Sequence, residues 1–176
     1  MPAYHSAYNG SDARSIGGMY LLPLKTKYRG PAPVAADPEA SDIIDEVIDL
    51  FRANCLFRNF EVRGDGDRLL IYGILYLSDC LTRIASKQPA PSKQEAQKLL
   101  QTHALGNFAI PGDATFSLNA VYSSPSSKAD ADVLRQYLQQ FRQEFSDRLV
   151  ERLYADGQLS KWWMSFQKRK FMGKTL

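Results

Sequence analysis

One stretch constrains the fold of this 176-residue chain more than any other. Between about Asp67 and Ala85, the residues Leu69, Leu70, Ile71, Tyr72, Ile74, Leu75, Tyr76, Leu77, Leu81 and Ile84 place apolar side chains at nearly every helical position. A helix on a protein surface carries one apolar stripe, whereas a helix apolar on all sides must be surrounded. The longest apolar runs stop well short of the ~20 residues that a membrane span needs. The surroundings are therefore the rest of the chain, and this segment is expected at the centre of a helical bundle.

Four other helices are legible around it. The first runs from about Asp42 to about Phe60, with Ser41 placed to cap it and Asp42, Asp45 and Glu46 suited to its positive end. Ile43, Ile44, Val47, Ile48, Phe51 and Cys55 give it a stripe at helical spacing. The turn sequence Arg63-Gly64-Asp65-Gly66 separates it from the central helix, and Pro89 and Pro91 separate that from the next. There Ser92 and Glu95 have capping-box spacing and Gly106 supplies a stop, but the apolar face is weak, so a peripheral position is expected. A long helix from about Ala129 to Tyr154 keeps Val133, Leu134, Tyr137, Leu138, Phe141, Phe145, Leu149 and Leu153 in register until Gly157. Ser160 then opens a fifth helix carrying Trp162, Trp163, Phe166 and Phe171.

Two segments lie outside this pattern. Residues 1–40 hold Pro2, Pro23, Pro31, Pro33 and Pro38, with Gly10, Gly17, Gly18 and Gly30 loosening the backbone. They also hold Met19, Tyr20, Leu21, Leu22 and Leu24, so this extended segment is expected to wrap the domain or a partner. Residues 107–127 read as a long ordered loop in which Phe116, Leu118, Ala120 and Tyr122 alternate like a half-buried strand. The fold class is therefore all-α: a compact five-helix bundle enclosing one central apolar helix, with extended N-terminal and mid-chain segments, in a single domain over residues 1–176. A chain of 19.8 kDa is long enough to bury a core of this kind without disulfides or metal.

Chemistry is hard to find. His5 and His103 show no paired ligand spacing, and Cys55 and Cys80 are too far apart for a zinc knuckle. Asp65 and Asp67 mimic the start of a calcium loop, but Leu69 and Leu70 fall where a ligand and the glycine belong. Neither phosphate-binding glycine pattern occurs, and no nucleophile-elbow signature is present. Asp45/Glu46 and Asp130/Asp132 sit at helix starts, where the dipole already explains them. His103, near the end of the third helix, is expected to interact with its last carbonyls. No catalytic, cofactor or metal site is expected. Met1 to Tyr8 lacks the basic start and apolar run of a signal peptide, so a reducing cytoplasmic setting is expected, with both cysteines acting as small buried hydrophobes.

Charge is unevenly spread. From Asp37 to Asp67 nine acids face three arginines, whereas Lys161, Lys168, Arg169, Lys170 and Lys174 give the last sixteen residues a net +5 within a chain of only +3. The basic residues are interleaved with Trp162, Trp163, Phe166 and Phe171. Three readings compete: the aromatics fill the core, the segment binds nucleic acid by stacking and phosphate contacts, or it forms a protein interface. The rest of the chain offers no second basic stripe, which favours the protein interface. The candidate interface residues are Lys161, Trp163, Lys168, Arg169 and Lys170, joined by Gln140 and Arg142 from a polar stretch of the long helix. An independent helical module that binds nucleic acid is the alternative.

The sequence resembles the subunit 3 family of the actin-related protein 2/3 complex, the nucleator of branched actin filaments. The resemblance runs through Met1-Pro-Ala-Tyr-His-Ser6, Gly30-Pro-Ala-Pro33, Arg68 to Tyr72, Ile110-Pro-Gly112 and Leu118-Asn-Ala120 with Tyr122. It continues through Tyr137-Leu-Gln-Gln140, Arg142-Gln-Glu144 and Ser160-Lys-Trp-Trp163 with Phe166, Lys168 and Arg169. Residues 7–15 and 85–102 depart from the family pattern. The resemblance implies a helical fold with one enclosed helix and a non-catalytic, cofactor-free role in assembling the nucleator. It further implies packing on the actin-related protein 3 subunit, proximity to the mother filament at the branch junction, and a place in the cytoplasmic, cortical actin cytoskeleton. Neither nucleic acid nor membrane is implied as a partner.

Overall fold

The computed structural model describes residues 3–176, so Met1 and Pro2 of the first family landmark lie outside it. Among the described residues the chain forms a short hairpin, β1 (Ser15–Ile16) and β2 (Met19–Tyr20), followed by five α-helices. These are α1 (Ile43–Asn54), α2 (Asp65–Ala85), α3 (Lys93–Leu105), α4 (Lys128–Leu153) and α5 (Lys161–Met164), with a single 3-10 turn at Phe171–Gly173.

The central helix is α2. Every residue from Leu69 to Leu77 is buried, enclosed by α1, α3, α4 and the β2 strand. Gly73 sits in the middle of this run and lets α1 come close: a Cβ there would lie 2.6 Å from Val47 Cγ2 and 3.3 Å from Phe141 Cζ. Both tyrosine tips at this depth are satisfied: Tyr76 Oη lies 2.6 Å from Ser146 Oγ, and Tyr72 Oη accepts from Arg142 Nη1. α3 lies along α4 and buries only Ala96, Leu100 and Ala104, small enough to keep the two axes near.

The caps explain where the helices begin. Asp42, rather than Ser41, caps α1: its carboxylate accepts from the Asp45 amide, and the Asp45 carboxylate accepts from the Asp42 amide in return. α1 then ends at Asn54, six residues before Phe60. The Asn54 side chain is turned onto the N-terminal segment, the strap that wraps the domain, accepting from Tyr4 N–H and donating to Tyr4 C=O, and the Phe57 amide closes a turn onto the Asn54 carbonyl. Ser92, Ser127 and Ser160 cap α3, α4 and α5 through their hydroxyls.

The N-terminal segment wraps the domain itself. Ile16, Met19, Leu21, Leu22 and Leu24 belong to the core. Polar side chains from the helices hold its backbone. Asp67, fully buried, accepts from the Ser6 amide at 2.7 Å and the Arg63 amide at 3.0 Å, and its second oxygen lies 2.6 Å from His5 Nδ1. Tyr137 donates to the Leu22 carbonyl, and Arg148 grips both oxygens of Asp42 while reaching the Lys25 carbonyl. Burial alone would push the Asp67 carboxyl up, but the Ser6 amide, His5, the Arg63 amide and Asn9 outweigh it and hold it below its ordinary value.

Two expectations about irregular segments are corrected. Gly17 and Gly18 do not loosen the strap. With φ of 65° and 80° they form the tight two-residue turn of the hairpin, which places Ile16 opposite Met19. Residues 107–127 are ordered but hold no strand. Phe116, Leu118 and Tyr122 are buried while Ala120 is exposed, because the Tyr122 amide closes a turn onto the Leu118 carbonyl and breaks the alternation. Asn119 and Asp113 knit this loop internally, and Tyr122 fastens it to the Arg68 carbonyl of α2. Cys55 and Cys80 are free and buried, and burial pushes the Cys80 thiol up to about 12, consistent with inert packing residues.

Candidate protein interface

The basic-aromatic end begins where α4 stops. Gly157 turns the backbone at φ 83°, and the Ser160 amide returns to the Leu153 carbonyl at 2.8 Å. The Ser160 hydroxyl then accepts from the Trp163 amide, but the helix it caps lasts one turn. Beyond Met164 the chain proceeds through successive turns to Phe171, so the four aromatics are not arrayed along one helix.

This geometry exchanges the two tryptophans. Trp163 is 6% exposed and stacks on Phe51 of α1 with centroids 6.1 Å apart, so its assignment to the interface is corrected to a packing role. Phe171 is buried against Phe60, and the half-buried Phe166 meets Phe51 edge-on. Trp162 is 48% exposed, and the guanidinium of Arg52 lies 3.6 Å from its ring centroid. An exposed indole held flat by an arginine presents a rigid aromatic surface with a cationic edge, the composition of a binding hot spot. Beside Arg52 on α1, Asp49 pairs with Arg152 of α4 at 2.9 Å. Lys161, Lys168, Arg169 and Lys170 are exposed as expected. The last three, with Lys174, border a groove of about 430 Å³ against Leu75, Ser78 and Thr82 of α2.

Gln140 and Arg142 do not join this surface. Gln140 is 4% exposed; its carbonyl accepts from the Ala32 amide and its amide donates to the Tyr28 carbonyl, both at 2.9 Å, so it pins the strap. Arg142 is 2% exposed beneath the end of α3, donating to the His103 and Ala104 carbonyls. Both are polar residues in a polar run, and nothing in their spacing separates them from exposed neighbours such as Gln139. His103 does not bond its helix's last carbonyls through its ring. Its Nε2 lies 2.6 Å from Asp79 Oδ2, and its ring stacks on Tyr76. Sequence reasoning missed Arg52 altogether. The signal available was its charge within an acidic helix, which made it the one cation on α1 able to seek an aromatic.

Among the described residues no cluster of His, Cys, Asp and Glu is arranged to hold a metal ion, and no helix is long and apolar enough to cross a membrane. What the geometry offers is a surface of exposed aromatic and basic groups on a helical scaffold. The chain matches the model of the P21-Arc family, the ARP2/3 complex ARPC3 (21 kDa) subunit, over residues 1–176, and it belongs to that family. It is 51% identical to actin-related protein 2/3 complex subunit 3 of Schizosaccharomyces pombe over the full length of both chains. Its identity to the Saccharomyces cerevisiae protein of that name is 47%, again over the whole of both. With the Dictyostelium discoideum protein of that name it shares 47% over 98% of this chain and 99% of the relative.

Proposed function

We propose that this chain is a non-catalytic structural subunit of an actin-related protein 2/3 complex, supporting assembly of the nucleator and formation of branched actin filaments in the cytoplasmic actin cytoskeleton. The observation that carries this reading is the end-to-end match to a single family of complex subunits. In the finer reading, the chain packs on the actin-related protein 3 subunit, lies near the mother filament at the branch junction, and works in cortical actin structures. Trp162 with Arg52, together with Lys161, Lys168, Arg169 and Lys170, is the contact surface. An acidic or mixed partner face suits it, because these residues are solvated and bring an aromatic platform edged with positive charge.

Affinity purification from gently lysed cells is expected to return two actin-related proteins and the remaining subunits in equal proportion. Recovery of the chain alone would overturn the reading. Reversing Lys168, Arg169 and Lys170 to Glu is expected to weaken assembly or branching while the melting curve stays put. Unchanged assembly and branching in a folded variant would remove those residues from the surface. The nucleic-acid reading of the same basic end finds no support, since the relatives named above all carry the name of a complex subunit. It requires steeply salt-dependent binding to DNA or RNA, which a gel shift at moderate salt is expected not to show.

A further inference from the structure

Next to the basic groove, with which it shares Asp79, lies a cavity of about 290 Å³ lined by α2, α3, α4, the mid-chain loop and Leu176, whose wall includes Asp79, Arg83, His103, Phe108, Thr115 and Arg142. Arg142 is the unusual member. Its guanidinium carbon lies 4.2 Å from the Phe108 ring centroid and 4.6 Å from that of Tyr76. Its hydrogen bonds run from Nη2 to the His103 carbonyl at 2.8 Å, from Nε to the Ala104 carbonyl at 3.4 Å and from Nη1 to the Tyr72 hydroxyl at 3.4 Å. A guanidinium carries five N–H donors. Three bonds leave two donors over, and none of the three acceptors is charged.

A buried charge is costly unless an opposite charge meets it. The aspartate on this wall is engaged elsewhere: Asp79 Oδ2 lies 2.6 Å from His103 Nε2 and 3.7 Å from Arg83 Nε. Among the described residues no carboxylate comes within ion-pair distance of Arg142. Among the side chains of the wall, two arginines face a single aspartate.

We propose that this cavity is an oxyanion site for a small carboxylate, received by the spare N–H groups of Arg142 with Arg83 and Thr115 as further donors. A guanidinium fork with two unused N–H groups matches a carboxylate. The volume lies at the lower edge of the range for ligand pockets. It has room for a short acid and is too small for a nucleotide. Tyr72, Phe108 and Phe116 offer an apolar wall to the carbon end of such an acid. The carboxylate arrives either on a free organic acid or on an Asp or Glu side chain of a neighbouring polypeptide, and the recognition chemistry is the same.

The test follows the Arg142 Nε–H resonance in the full chain by NMR while propionate is added against chloride at matched ionic strength. A saturable shift with propionate and none with chloride is expected. Arg83→Gln, at an exposed position, is expected to weaken the apparent affinity about tenfold, the effect of losing roughly 1.4 kcal/mol of charge-assisted bonding. Arg142→Lys keeps the charge and loses the fork, and is expected to abolish the saturable response; where that variant does not fold, Arg83→Gln and Thr115→Val carry the test. No saturable shift in the wild type, or one indifferent to both of those variants, would overturn the proposal and leave Arg142 as a cap for α3 alone. Saturation transfer to propionate on the assembled complex then separates the sources. A signal that persists on assembly indicates a free acid, and one lost on assembly, having been present on the single chain, indicates a neighbour's acidic side chain.

Discussion

The two ends of the chain share a sequence signature and differ in physical state. Both are irregular, aromatic and punctuated by turns, yet the N-terminal segment is zipped into the molecule and the C-terminal segment only leans on it. The difference lies in what the helices offer each end. Toward the N-terminus they aim buried polar groups, with Asp67, Asn54 and Gln140 each meeting strap backbone. Toward the C-terminus the fold offers mainly apolar walls, Phe51 of α1 for Trp163 and Phe166, and Phe60 of the loop after α1 for Phe171. A strap whose backbone is bonded by buried side chains is part of the core. A segment held by a few aromatic anchors keeps its remaining side chains free to meet something else.

The contrast can be broken most severely at Asp67. Asp67→Ala strips acceptors from the Ser6 and Arg63 amides and from His5 at a fully buried point, and is expected to cost about 3–5 kcal/mol. Denaturant melts measure the loss, and hydrogen exchange should show the strap amides opening before those of α2. The same contact is sensitive to acid. Because the folded state holds the Asp67 carboxyl below its ordinary value, its contribution is fully present above the usual carboxylate range. It is lost as pH falls from that range through the lower folded-state value. Asp67→Asn is expected to flatten that part of the acid denaturation profile.

Trp163→Ala tests the other end, removing the aromatic anchor on Phe51 at an expected cost of about 3–5 kcal/mol by thermal or chemical melt, at the lower end because the segment is peripheral. Gln140→Ala is milder: about 1–3 kcal/mol for leaving the Ala32 amide and Tyr28 carbonyl without their partner, with faster exchange confined to residues near 28–32. Trp162→Ala is the smallest, expected within about 0.5 kcal/mol in a melt yet weakening recovery of the complex. Equal melting penalties for the two adjacent tryptophans would erase the distinction between anchor and contact surface.

What was legible in the sequence follows the same division. The enclosure of α2 was readable because residues 69–77 leave no polar face for water, and no competing signal exists over so many turns. The wrapping strap was readable from Met19 to Leu24, since that much apolar surface must be covered. Its anchors were not, because Asp67, Asn54 and Gln140 look like ordinary exposed helix residues until the strap is laid over them. The strand expected around Phe116 failed because alternation over a few residues is also what a series of turns produces, and the turn closing on Leu118 carries no mark of its own. Trp162 and Trp163 could not be told apart because periodicity has no meaning over a one-turn helix. The structure therefore leaves the candidate cations exposed, buries Trp163 and exposes Trp162 in its place, and holds Arg142 and Gln140 in the interior.

The all-round burial of α2 also has a consequence in time. The helix is complete once Ala85 has been made, but its wall α4 runs to Leu153. At roughly 5–20 residues per second of synthesis, the most apolar element of the chain waits several seconds for its last cover. Contacts this far apart in sequence also slow folding. During that interval the nascent chain exposes the surface its native state hides most completely, and whatever shields it then, a chaperone or an early-arriving neighbour, sets how much of the protein survives to be assembled.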